Sequence, residues 1–220
     1  MKHILILLTV LGLIACSSNE ELPDIGADAG EQQIYEEAQR YLRNDNYDLA
    51  VRSLQQLEAR YPFGKYAEQA QLEIIYAHYG AYEHEAAVEA ADRFIRLHPM
   101  HPNVDYAYYM KGLSAYTANE DIFSRFVPTD PTMRDTAQAR EAFAEFAQLL
   151  SRFPNSPYAA DAEARMIALR NLIARSEINI ANYYLRRGAH LEAVNLGRYD
   201  EEKFQRTPAV ADGLAVKAQG

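Results

Sequence analysis

Apolar residues fall along this chain in three regimes. Ile4 to Leu13 form a largely apolar run behind Lys2, closing on Leu13-Ile14-Ala15-Cys16. From Ser17 to about Gly30 the composition turns to Ser, Asn, Glu, Asp, Pro and Gly with little apolar periodicity, which predicts a flexible tether over 16–30. Beyond Glu31, apolar residues recur at three- and four-residue spacing, as in Ile34, Ala38, Tyr41 and Leu42, then Ala50, Leu54 and Leu57. That is the period of helices that bury one face. No segment alternates convincingly with the two-residue period of a strand, and no Asn-Gly or Asp-Gly turn parts two apolar runs. The expectation is an all-α domain over 31–220.

The helical pattern repeats. Ala50-Val51, Ala87-Val88 and Ala142-Phe143 each place their alanine twelve residues before a proline, namely Pro62, Pro99 and Pro154. Leu57, Phe94 and Leu149 stand five before it, and Tyr61, His98 and Phe153 one before it. A small residue lets two antiparallel helices approach, larger residues further along fill the groove, and proline stops the second helix. Each unit therefore reads as a helical hairpin. Pro62 to Pro99 spans 37 residues, close to the period of about 34 residues in tetratricopeptide repeats. The run Ile34, Ala38, Tyr41, Ala50, Leu54, Leu57, Pro62 is similar to that family's signature, and the similarity implies a right-handed solenoid. The third unit is longer, and its surplus predicts an insert loop over about 117–134, which holds Pro128 and Pro131. A fourth unit is expected to have a long first helix from about Pro157 to Arg187, a turn at Gly188, and a second helix carrying Ala193-Val194 toward Pro208. Only twelve residues follow Pro208, so a fifth hairpin is expected to be truncated.

The N-terminal apolar run covers about ten residues, half of the roughly 20 that a bilayer-spanning helix needs. Residues 1–15 therefore read as a secretion signal. Leu13-Ile14-Ala15-Cys16 resembles the bacterial lipobox, which implies diacylglycerol on the Cys16 thiol and an N-acyl chain on its amine, a stable anchor without a spanning helix. Cys16 is the only cysteine, so no intramolecular disulfide is possible. Ser17 in place of an aspartate implies sorting to the outer membrane. The formal net charge is −9, and it becomes one unit more negative once the segment with Lys2 is removed. No Lys/Arg cluster offers the basic face that a nucleic acid requires.

Catalytic signatures are missing: there is no Walker A loop, no H-E-x-x-H, no G-x-S-x-G and no cysteine pair for zinc. The chain is read as a non-enzyme without a metal site. His98-Pro-Met-His101-Pro is the nearest thing to a metal-ligand pair, and the prolines make it a repeat-connecting turn. Scattered carboxylates read as solvated helix faces. Of the sixteen tyrosines, most should pack between helices. The tetratricopeptide register directs Tyr76, Tyr79, Tyr109 and Tyr116 toward the concave surface, where rigid rings with polar tips would suit an extended peptide. Arg186 and Arg187 lie beside the Gly188 turn. They either complement a helix C-terminus or pair with an acidic partner.

More specific segments are Tyr61-Pro-Phe-Gly-Lys-Tyr66, Asp92-Arg-Phe-Ile-Arg-Leu-His-Pro99, His101-Pro-Asn-Val-Asp-Tyr106 and Phe153-Pro-Asn-Ser-Pro-Tyr158. Together with the lipobox, and in this order, they resemble the BamD family of outer-membrane protein assembly lipoproteins from Cys16 to about Asn195. The resemblance implies a periplasmic, lipid-anchored scaffold of the β-barrel assembly machinery. Its implied partners are the POTRA domains of BamA, BamC and BamE where these exist, and unfolded outer-membrane β-barrel proteins. It also implies that Arg186 and Arg187 lie near the contact with BamA. The chain departs from the family at Leu196, where arginine is common, and at Asp200-Glu201-Glu202-Lys203, where a more apolar stretch is expected. Two other readings stay open: an accessory lipoprotein of a peptidoglycan-active enzyme, and a periplasmic holdase independent of BamA.

Overall fold

A computed structural model describes residues 28–118, 132, 135–204 and 207–219 of the chain. Cys16, the signal segment 1–15, nearly all of the tether 16–30 and most of the insert 117–134 lie outside the described residues. Among the described residues all regular structure is helical: α1 (Glu31–Arg43), α2 (Tyr47–Arg60), α3 (Ala67–Gly80), α4 (His84–Leu97), α5 (Val104–Ala118), α6 (Ala137–Arg152), α7 (Ala159–Arg186), α8 (His190–Lys203) and α9 (Ala209–Gln219). Successive helices pack on each other, while α3 also touches α5 and α7 also touches α9. The result is a row of hairpins, α1–α2, α3–α4, α5–α6 and α7–α8, with α9 laid against the last. This is an all-α array of tetratricopeptide type.

The repeated alanines are the closest points of the hairpins. Ala50, Ala87, Ala142 and Ala193 are all fully buried, at 0% exposure. Leu57, Phe94 and Leu149, seven residues on, are equally buried and form the floor between hairpins. The prolines end the second helices in one geometry. Tyr61, His98 and Phe153 hold φ of −130°, −129° and −132°, and each donates its N–H four residues back, to Leu57, Phe94 and Leu149. A helical ψ at these residues would clash with the ring of the following proline.

The turns inside the hairpins also share one design. After α1, α3 and α7 the chain passes through a residue of positive φ, namely Asp45 (55°), Tyr82 (62°) and Gly188 (73°). The next residue donates its N–H five residues back, Asn46 to Tyr41, Glu83 to His78 and Ala189 to Tyr184. These are Schellman closures, in which a left-handed residue turns the chain and satisfies the last helical carbonyls. Glycine meets that demand without steric cost, and Gly188 does so here.

A continuous core runs from Leu72 and Ile75 through Phe94, Tyr108, Phe146 and Ile173 to Phe204 and Ala209. A separate cluster of Ala181, Ala193 and Val216 seals the end where α9 lies on α7 and α8. There the helices approach so closely that a Cβ on Gly197 would stand 2.8 Å from the carbonyl oxygen of Gly213. The last helix, α9, covers the preceding unit. Among the described residues no helix is long and apolar enough to cross a membrane.

Candidate functional site

The first helices of the hairpins share one side of the array, and between them runs a groove of about 500 Å³. Gln39, Leu42 and Arg43 of α1 form one wall, Gln69, Leu72, Glu73 and Tyr76 of α3 the base, and Asn103, Tyr106 and Tyr158 the other wall. Glu73 organises the base. Its carboxylate accepts hydrogen bonds from the Tyr35 hydroxyl (2.8 Å), from Gln39 Nε2 (2.5 Å) and from Gln69 Nε2 (2.8 Å). The Tyr35 and Gln39 donors tie α1 to α3, the Gln69 donor lies within α3 itself, and the amide oxygens of the two glutamines are left available as acceptors.

Two stacked tyrosine pairs brace the walls. Tyr66, which caps α3, lies on Tyr35 with ring centres 4.2 Å apart and planes 9° from parallel, and Tyr158, which caps α7, lies on Tyr109 at 4.7 Å and 16°. Tyr106 leans on Tyr158 at 5.8 Å. Burial, joined by the Glu73 carboxylate, pushes the Tyr35 phenol upward. Burial and then the neighbouring Tyr158 do the same for Tyr106. The Tyr109 phenol is pushed up to about 12, by burial and by its hydrogen bond to Asp161. These phenols stay protonated at neutral pH, so they present O–H groups and aromatic faces and no negative charge.

The four tyrosines expected on this surface separate into two kinds. Tyr76 lines the groove, is 42% exposed and sets its edge against Tyr47 at 6.0 Å. Tyr79, Tyr109 and Tyr116 pack instead against the core: Tyr79 reaches Thr117 Oγ1 at 3.4 Å, Tyr109 donates to Asp161 at 2.8 Å, and Tyr116 lies under the Arg165 guanidinium at 5.0 Å. The pattern reading missed Tyr106, Tyr158 and Glu73. A signal existed for two of them, since Tyr66, Tyr106 and Tyr158 each stand four residues after a proline, Pro62, Pro102 and Pro154.

Two other features have a plain structural place. His98 and His101 both face the Glu68 carboxylate, at 3.3 Å and 3.5 Å, so the turn between α4 and α5 is tied to the first turn of α3. Among the described residues no three His, Cys, Asp or Glu side chains converge as metal ligands. Arg186 and Arg187 are exposed at the end of α7, where positive charge opposes the helix dipole. The Arg187 guanidinium sits 5.1 Å over the ring of Tyr183, and neither arginine has a carboxylate partner among the described residues. Around them Ile180, Tyr183 and Leu191 are exposed at 44%, 47% and 70%. Ile180, Tyr183 and Arg187 share one helix face by their spacing, and Leu191 follows across the turn.

A model of the outer membrane lipoprotein family YfiO matches residues 27–220. The outer membrane protein assembly factor BamD of Neisseria meningitidis serogroup B is 39% identical over 220 residues, which cover 98% of this chain and 82% of that relative. The chain belongs to the BamD family. Relatives of the same name are 37% identical in Vibrio cholerae, over 97% of this chain and 87% of the relative, and 32% identical in Haemophilus influenzae, over 97% and 80%. The matched span begins at the edge of α1 and includes every groove residue and the exposed surface at the end of α7. Members of the BamD family carry the name of assembly factors and not of enzymes.

Proposed function

We propose that this chain is a scaffold subunit of the outer-membrane β-barrel assembly machinery, held to the periplasmic face of the outer membrane by acyl chains on Cys16. In this reading the face at the end of α7 docks the periplasmic POTRA domains of BamA, with BamC and BamE joining where present. The groove across α1, α3, α5 and α7 receives extended segments of unfolded outer-membrane proteins. The observation that carries the reading is the pairing of a family whose members are named outer membrane protein assembly factors with a preformed groove of tyrosine rings and free amide acceptors. An extended strand offers alternating side chains and unpaired backbone N–H groups, and such a groove supplies rings for the first and acceptors for the second. The exposed Ile180, Tyr183 and Leu191 around Arg187 have the make-up of an interface centre, apolar and aromatic with an arginine. Anchoring near BamA raises the effective concentration, so contacts of modest strength suffice.

The test is recovery of bound proteins from gently solubilised membranes of the native host. Wild-type chain is expected to retain BamA, and Arg187→Glu with Leu191→Glu to lose it while still retaining unfolded barrel protein. Tyr76→Ala should reverse that pattern. Both side chains at the docking face are exposed, so loss of BamA will not reflect loss of fold. Retention of BamA by the double variant would refute the docking surface. Wild-type chain that binds unfolded barrel proteins but no BamA would establish a holdase instead. Cys16→Ser should release the chain from the membrane fraction.

A further inference from the structure

The most exposed large apolar side chains among the described residues stand on the turns between hairpins. Phe63 is 100% exposed and Met100 91%. Both occupy one register position, directly after the helix-stopping Pro62 and Pro99, whereas the corresponding residue after Pro154 is the polar, exposed Asn155. Leu97, the last residue of α4, adds a third apolar group at 57% exposure. The two apolar turns are neighbours, because Glu68 at the start of α3 faces His98 and His101 of the next turn. A fully exposed phenylalanine contributes nothing to the core, and its recurrence as methionine one repeat later, but not two, marks one end of this edge as different.

That end is where the chain arrives from its N-terminus. The Tyr61 hydroxyl donates to the carbonyl of Ala29 at 3.1 Å, and the Tyr66 N–H donates to Glu31 at 2.7 Å, so the entry point is fastened to the Phe63 turn. The 13 residue steps from Cys16 to Ala29 reach at most about 45 Å. The opposite edge of the array lies a further 14-residue helix away, about 21 Å. Lys65 and Arg96 are exposed at the same edge of a chain whose net charge is −9. Separate turn tips, each with a cation near it in sequence and with the Glu68 carboxylate between the turns held against His98 and His101, fit a deformable interface that takes apolar groups singly and offers phosphates beside them. A protein partner would be met by a contiguous, packed centre.

We infer that this edge, with Phe63, Leu97 and Met100 as apolar contacts and Lys65 and Arg96 as phosphate contacts, seats on the phospholipid surface that holds the acyl chains of Cys16. The inference rests on the lipid-anchored reading above. The contact would fix the orientation of the array and keep its groove from rotating freely beneath the anchor.

The experiment uses full-length lipidated chain with one added thiol, F63C, M100C or N155C. Acylation of Cys16 leaves the added thiol as the only one free for an environment-sensitive fluorophore. In vesicles of phosphatidylethanolamine and phosphatidylglycerol, a lipid-borne quencher is expected to act several-fold more strongly at positions 63 and 100 than at 155. All three side chains are exposed, so folding is unaffected by the labels. Flotation with the vesicles reports the anchor separately. Chain that floats but is quenched equally at the three positions overturns the inference and leaves the anchor standing, whereas chain that fails to float overturns both. Shielding at 63 and 100 that arises only when BamA is added assigns the edge to a protein partner and also overturns it.

Discussion

Gly112 and Phe146 make the sharpest quantitative test of how the hairpins fit. Gly112 lies in α5 directly under the Phe146 ring of α6, and a Cβ added there would stand 2.7 Å from Cδ1, 2.8 Å from Cε1 and 3.2 Å from Cγ. The ring cannot swing aside. It is fully buried and flanked by Tyr109 and Tyr116 at centroid distances of 6.3 Å and 6.5 Å. In an unobstructed helix Gly→Ala gains about 1 kcal/mol, while forcing a methyl into a filled core costs about 1–3 kcal/mol. Gly112→Ala should therefore leave stability unchanged at best and lower it by up to about 2 kcal/mol. Phe146→Leu alone should cost about 1–2 kcal/mol through lost burial and residual cavity. In the Phe146→Leu background the obstruction is gone, and Gly112→Ala should recover its gain of about 1 kcal/mol. The coupling energy is then about 1–3 kcal/mol, within the range for residues in contact. Urea unfolding of the four proteins by far-UV circular dichroism measures it, with amide exchange in α5 and α6 guarding against partial unfolding of the array. Equal stabilisation by Gly112→Ala in both backgrounds would refute the argument. Gly64→Ala is the contrast, because its Cβ would meet the end of the Glu31 side chain, which can turn away at the loss of its hydrogen bond from the Tyr66 N–H and without any shift of the core.

Tyr82 holds a left-handed backbone at φ 62° where the equivalent turn in α7–α8 uses Gly188, and its ring is 71% exposed. Tyr82→Gly should stabilise the chain by about 1 kcal/mol, the cost of a left-handed side-chain residue, as an upward shift in thermal midpoint. Gly197→Ala sets a methyl against the Gly213 carbonyl, and backbone cannot yield as a side chain does. Amide exchange should accelerate in α9 while α1 to α6 keep their protection. The imidazole of His84 is held below its usual value by burial, and its Nδ1 has no hydrogen-bond partner. The folded chain therefore favours the neutral ring. Its contribution is intact above the unfolded value of 6.5 and is lost as pH falls from there through the lowered folded value. Thermal midpoints compared between pH 7.5 and pH 5 should fall less for His84→Gln than for wild type.

The hairpin plan was legible because its parts are local and repeated. An alanine twelve before a proline reports both a close helix approach and a helix stop, and the structure bears out each in units one to three. The long α7, the Gly188 turn and α8 likewise follow the expected bounds. Side-chain direction was less legible. A register assigns Tyr76 and Tyr109 to the same side of successive first helices, but Tyr109 is drawn inward by two residues from another helix and its cap, Asp161 and Tyr158. Those contacts cross about fifty residues and include the insert, a separation that periodicity does not encode. Glu73 was hidden for the opposite reason. One carboxylate among many on solvated faces becomes the organiser of the groove only once α1 is laid beside α3.

One hydrophobic core joins the groove to the proposed docking face. Leu72 of the groove base, with Tyr106 packed against it, and Ile173 and Ala174, about two helical turns before the exposed Ile180, belong to a single hydrophobic cluster. Close-packed interiors shift between discrete arrangements and do not bend continuously. A partner that displaces α7 must therefore either leave the Tyr109–Tyr158 stack intact or break it, because Tyr158 caps that helix. Tyr109→Leu keeps apolar volume but removes the stack and the hydrogen bond to Asp161. If the stack transmits the position of α7 to the groove wall, this variant should bind peptide with the same affinity whether or not BamA is present, while wild type distinguishes the two states. Equal affinity in wild type, with and without BamA, would show that docking and peptide binding are independent.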